Sequence, residues 1–161
     1  MVSRVSATFG PSIKLAWMRG PSDPTSMARF GWTVAEYEDL ARDPAHGGKI
    51  TAKTAQERKV GLKLEKRGDV PGPIIRDPTG AAEFIDARGG KWDVKGFNSG
   101  FRPSKGGFDL GTDAGKVDKS LSEGESVMMD TSEMSLGDIN ALKVEGAARG
   151  WATRWYIGHD Q

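Results

Sequence analysis

The sequence predicts a mixed α/β domain: a small central sheet of mixed strand direction flanked by helices. Three observations predict it. Helix signals with clear stops recur along the chain, as at Thr33, at Ala52 to Gly68 and at Ser135 to Gly150. Between them lie short apolar runs, of which Val127-Met128-Met129 reads as a buried strand. The segment Trp151 to Ile157 sets Trp151, Thr153, Trp155 and Ile157 against Ala152, Arg154 and Tyr156, the period-two pattern of a strand.

Composition sets the limits. The chain has 161 residues, enough for one domain with a proper core, and its 23 basic and 22 acidic residues leave a net charge of +1. No global field marks a nucleic-acid binder, although a local basic surface is compatible with these counts. Cysteine is absent, which removes disulfides, thiolate zinc sites and a cysteine nucleophile. No apolar run is long enough to span a membrane, and the N-terminus lacks the three-part pattern of a signal peptide.

Residues 1–50 are expected to form an irregular arm carrying one helix packed on the core, with the core itself over 51–161. Gly10-Pro11, Gly20-Pro21 and Asp23-Pro24 punctuate Met1 to Arg29, leaving Ile13 to Met18 as a short helix or strand. Thr33 caps a helix over Val34 to Arg42, with Glu36 in the capping-box position. Pro44 to Gly48 ends it, and His46 in this loop reads as a solvated histidine. A second helix runs from Ala52 or Lys53 to Arg67 and closes at Gly68. Its apolar stripe holds Val60 and Leu64, with Leu62 on a flank. Glu57 lies on the stripe's side, where a carboxylate needs a partner such as Lys53 or Arg58.

Turns around Ile74-Ile75 lead into Ala82 to Phe97, AEFIDARGGKWDVKGF, read as two strands joined at Gly89-Gly90. Its charges interrupt segments that otherwise look buried. Asp93 and Lys95 are two apart and project from one face of a strand. A carboxylate and an ammonium fixed together in this way suit a divalent cation and a phosphate, although an isolated Asp-x-Lys is more simply an ion pair. The partner acid depends on register. With Gly89 and Gly90 as the central turn residues, Asp86 faces Asp93; with a loop one residue longer, Ile85 faces Asp93 and Glu83 faces Lys95. Gly-Gly favours Asp86, and Glu83 stays in play.

Asn98 to Gly107 is a loop carrying Phe101, Arg102 and Lys105. It is either an ordinary surface loop or a contact for phosphates and bases through Arg102 and Lys105. Thr112 or Asp113 is expected to cap a helix through Leu121, stopped by Gly124. A strand follows over Glu125 to Thr131, then a helix from Ser135 through Ala148 and the last strand. His159, in a short polar tail, has no evident role.

Together, Glu57 on a helix, the acidic strand from Glu83 to Asp86 and Asp93-Val94-Lys95 resemble the PD-(D/E)xK nuclease superfamily. Val127 to Ser132, the helix after it and Trp155-Tyr156-Ile157 extend the likeness over roughly Thr54 to Ile157. Within that superfamily the chain looks like the C-terminal toxin domains of CdiA-type contact-dependent growth inhibition proteins. The resemblance implies a restriction-endonuclease-like core and metal-dependent hydrolysis of phosphodiesters in RNA, above all transfer RNA. A DNase of the same fold and a non-catalytic binding module are the alternatives. It implies metal ligands from Glu57, Glu83, Asp86 and Asp93, with Lys95 assisting attack by water. The first strand acid is open between Glu83 and Asp86, because Ala82-Glu83 stands where the family has Pro-Asp. Mg²⁺ is the implied metal, with Mn²⁺ or Zn²⁺ as alternatives. A cognate immunity protein is the implied inhibitor. Delivery is expected as the tail of a larger exported cell-surface protein, with action in the cytoplasm of the target cell.

Overall fold

A computed structural model describes residues 33–158; the expectations for the arm from Met1 to Arg29 and for His159 lie outside them. Among the described residues the α-helices and strands follow in the order α1 (Val34–Asp39), α2 (Ala52–Arg67), β1 (Ile75–Arg76), β2 (Phe84–Ile85), β3 (Lys91–Gly96), α3 (Leu110–Ser122), β4 (Ser126–Asp130), α4 (Leu136–Arg149) and β5 (Thr153–Tyr156). The strands form one mixed sheet in the order β1-β2-β3-β4-β5. β1, β2 and β3 are an antiparallel meander, whereas β3, β4 and β5 run parallel through the crossovers α3 and α4. No helix among the described residues is long and apolar enough to cross a membrane.

Local chemistry fixes the helix ends. Thr33 and Thr51 each close a capping box, and Gly68 and Gly150 end α2 and α4 in the left-handed conformation. α3 starts earlier than expected, because Asp109 rather than Thr112 or Asp113 is its cap and accepts from the Thr112 amide at 2.9 Å. The short segment at Ile74-Ile75, expected between turns without an element of its own, carries the first strand, Ile75–Arg76.

Strand alternation divides the core in two. Phe84, Trp92, Val94, Met128 and Tyr156 face Tyr37, Leu40, Val60, Leu62 and Leu64 of the α1–α2 layer. Leu62, expected on a flank, is fully buried here. Val127 and Met129 face the opposite way, with Val117, Ile139 and Leu142 of the α3–α4 layer. Two successive parallel crossovers of the same hand place both helices on this face. β4 is therefore covered on both sides, and its Val127-Met128-Met129 run is fully buried. Asp93 and Lys95 alternate with Trp92 and Val94, so they project toward the α3 layer.

α2 approaches the sheet closely at Gly61, where an added Cβ would lie 2.7 Å from Ile74 Cδ1 and 3.0 Å from the buried Phe84 ring. Alanine in a helix interior normally gains about 1 kcal/mol over glycine. Overpacking costs about 1–3 kcal/mol, so Gly61→Ala is expected to lose stability despite its better propensity. Urea denaturation checks this, and a stabilised variant would refute the close approach.

Candidate functional site

The hairpin differs from both expected registers. Phe84 pairs with Trp92 and Ile85 with Lys91, so the connection runs from Asp86 to Gly90. The Asp86 carboxylate builds that turn. It accepts from the Arg88 amide, the Gly90 amide and the Trp92 indole N–H, each at 2.8 Å. Gly90 leaves room for it, since a Cβ there would sit 2.6 Å from an Asp86 oxygen. Burial works against the Asp86 charge, but these hydrogen bonds and the Arg88 charge prevail and lower its pKa. Asp86 is thus a turn residue and does not join Asp93, which corrects its expected place in the site. Aspartate prefers such local amide partners where a turn presents them.

Glu83 takes the position beside Asp93. Its amide donates to the Trp92 carbonyl at 3.0 Å, and its carboxylate accepts from the Val94 amide at 3.3 Å. The Glu83 and Asp93 carboxyl groups hydrogen-bond each other. Burial, then the hydrogen bond and charge of Asp93, push the Glu83 pKa up from 4.5 to about 8. The Asp93 pKa goes the other way. Burial opposes its charge, yet hydrogen bonds from Glu83, Lys95 and Ser120 outweigh it and hold the pKa low. At neutral pH the pair therefore carries one proton, on Glu83, as like charges in contact require. Asp93 is held from two further directions, by the Lys95 ammonium from its own strand and by the buried Ser120 hydroxyl from α3.

These groups line a cleft of about 480 Å³ at the end of β3 and β4. Its walls include Lys53 from α2, Asp113 and Lys116 from α3, and Asp130 and Ser132 after β4. Asp130 is committed locally, accepting from Gln56 at 3.0 Å and from the Ser132 amide at 3.0 Å. Asp113 accepts from the Asp109 amide at 2.9 Å and pairs with Lys116 at 2.7 Å. Among the described residues no three His, Asp or Glu side chains converge as a cage for a metal ion.

Glu57 is adjacent to the pair but differently employed. One carboxylate oxygen accepts from both terminal nitrogens of Arg76 at 3.1 Å, and the other pairs with Lys53. Arg76 also donates to the Leu40 carbonyl at 2.9 Å and stacks on the Phe84 ring, so this ion pair lies in the α1–α2 layer. Asp93 projects to the other face of the sheet. Here the helix acid is engaged by two cations, Arg76 and Lys53, the second of them one of the two partners expected for it. For Lys53, burial disfavours the ammonium, but Glu57, Glu83 and Asp43 outweigh that and raise its pKa.

Arg102 and Lys105 stand exposed on the 98–107 loop and do not line the cleft; Asn98 and Gly106 of that loop do. His46 binds Asp43 at 2.6 Å outside the cleft. Ser120 and Arg76 lie outside the expected site residues. Ser120 lies three positions after Val117 on the buried stripe of α3, a polar intrusion that carries its signal in the sequence. Arg76 had none, since β1 itself was unrecognised.

Fold and site together define a mixed α/β domain whose cleft holds a proton-sharing carboxyl pair tethered to a lysine. Comparison with known proteins finds no matching family model, no matching curated relative and no matching solved structure.

Proposed function

We propose that this domain is a metal-dependent nuclease that hydrolyses phosphodiester bonds in RNA, with transfer RNA as the preferred substrate. The observation that carries the reading is the union of Glu83, Asp93 and Lys95 in one cleft. The choice of RNA rests on the likeness of the sequence to CdiA-type toxin domains. The same likeness supports a role in competition between bacteria, a cognate immunity protein as inhibitor and delivery within a larger exported protein.

The donor set suits a hard cation. Glu83 and Asp93 offer carboxylate oxygens, and Mg²⁺ or Mn²⁺ is often held by one or two carboxylates, with water and substrate phosphate completing the shell. Zn²⁺ fits less well, because neither histidine nor cysteine lines the cleft. When bound, the cation supplies Lewis acidity toward the scissile phosphate. Asp93 is oriented for binding by Ser120, and Lys95 holds a positive charge beside the same carboxylate. In that position the ammonium offsets charge developing on the phosphate and orients an attacking water.

Incubation of the protein with total cellular RNA and with plasmid DNA, in Mg²⁺, Mn²⁺ or EDTA, tests the proposal alongside Lys95→Ala. Discrete metal-dependent cuts in transfer RNA, lost in the variant, are expected. Degradation of the plasmid with RNA intact would move the assignment to a DNase. Survival of both polymers would return Asp93 and Lys95 to the role of a structural ion pair in a binding module.

A further inference from the structure

The cleft does not grip a polyanion by its own charge. Five acids line it against three lysines, and each lysine is paired with a carboxylate, Lys53 with Glu57, Lys95 with Asp93 and Lys116 with Asp113. A nucleic-acid strand brought to the Glu83–Asp93 pair therefore needs a hold outside these walls.

The loop from Asn98 to Phe108 offers one. Asn98 and Gly106 belong to the cleft wall, and between and around them the loop carries Phe101, Arg102 and Lys105 with no acid of its own. Arg102 and Lys105 are exposed, and neither has an ion pair among the described residues. Two acids at the foot of the loop, Glu133 and Asp138, accept hydrogen bonds from Asn98 and Ser99.

Three phenylalanines in and beside this loop are used differently. Phe97 and Phe108 lie 5.9 Å apart between ring centroids and join the α3–α4 core. Phe101 is instead 60% exposed. A single exposed ring is common on protein surfaces; this one stands on a fixed backbone. The Phe108 amide donates to the Asn98 carbonyl at 2.8 Å, and the Gly107 amide donates to the Arg102 carbonyl at 2.9 Å, which closes the loop on itself. Ser99 fastens it to α4, donating to Asp138 at 2.6 Å and accepting from the Ser135 amide at 2.9 Å. Gly107 packs so closely that a Cβ there would lie 1.7 Å from the Phe101 carbonyl oxygen. The ring is thus held out by a preformed loop, and little further ordering is needed when a flat ligand covers it.

We propose that Phe101 stacks on an unpaired base of the RNA substrate at the rim of the cleft, with Arg102 and Lys105 receiving neighbouring phosphates. Aromatic stacking holds a base whatever its identity, and it needs a base face that is not already covered by a duplex. This inference rests on the nuclease reading and adds to it a preference for unpaired over duplex RNA.

The test is equilibrium binding of a short fluorescein-labelled single-stranded RNA to the full chain in EDTA, across a salt series, with the melting temperature of each variant recorded. Phe101→Ala is expected to weaken binding about tenfold, the loss of one stacked base, with the parental salt slope and melting temperature. Phe101→Leu keeps apolar bulk without a flat face and is expected to lose about as much, whereas Phe101→Trp should bind at least as well as the parent. Lys105→Gln should instead make the salt slope shallower by about 0.7, the loss of one phosphate contact. With the same strand annealed to its complement, Phe101→Ala is expected to bind as the parent does. Parental affinity for the single strand in Phe101→Ala or Phe101→Leu would overturn the inference while leaving the nuclease reading in place. So would a loss in Phe101→Ala accompanied by a lower melting temperature, since that outcome makes the ring a support for the loop. A parent that neither binds nor cuts RNA would overturn both.

Discussion

Glu83→Gln is expected to fold, to melt higher than the parent at alkaline pH, and to lose metal-dependent RNA cleavage by on the order of a hundred- to a thousandfold. The stability effect follows from the shared proton. Glu83 has its pKa pushed up from 4.5 to about 8 in the folded protein. Between those values the unfolded chain releases the proton and the folded chain keeps it, so the parent's stability falls as pH rises, and the loss is complete above about 8. Glutamine has no proton to lose and can still donate to Asp93. The melting temperature of the variant should therefore gain on the parent through that window and level off above it. Thermal melts at several pH values measure this without reference to activity. A difference independent of pH would show that the carboxyl groups do not share a proton. Retained cleavage would remove Glu83 from the proposed site.

Arg76→Met is expected to cost about 3 kcal/mol, the low end of the range for breaking a buried ion pair by removing one partner, because Lys53 remains beside Glu57. The loss also includes the hydrogen bond to the Leu40 carbonyl and the guanidinium contact with Phe84. Replacing both members by apolar residues, as in the Glu57→Leu/Arg76→Met double variant, should recover most of it, since no uncompensated charge is left. Denaturant titration of the single and double variants decides the matter. If the double variant were no more stable than Arg76→Met, the loss would come from packing around Arg76 and not from the stranded carboxylate.

Much of the framework was legible in the sequence because its signals are local. Thr33 and Ser135 cap helices through their own neighbours, and Gly68 and Gly150 terminate them through backbone freedom. The run from Val127 to Met129 reads as buried because β4 is covered on both faces. Asp93 and Lys95 share a side by strand geometry alone, and they do form an ion pair. Two-residue strands such as β1 have too little sequence to show a period, so Arg76 went unassigned.

By itself the sequence determined the mixed α/β class, the ends of α2 and α4 and the Asp93–Lys95 pair, all consequences of spacing within a few residues. Tertiary structure decided which acid stands beside Asp93. A turn that engages Asp86 with three donors shifted the hairpin register and brought Glu83 there instead. It also added Arg76, 19 residues away on another element, to the Lys53 partner that spacing along α2 had offered Glu57. Periodicity can say that a carboxylate faces inward. Spacing along the helix offered Lys53 or Arg58, and only the packed layers select Lys53 and bring in the buried Arg76 from another element.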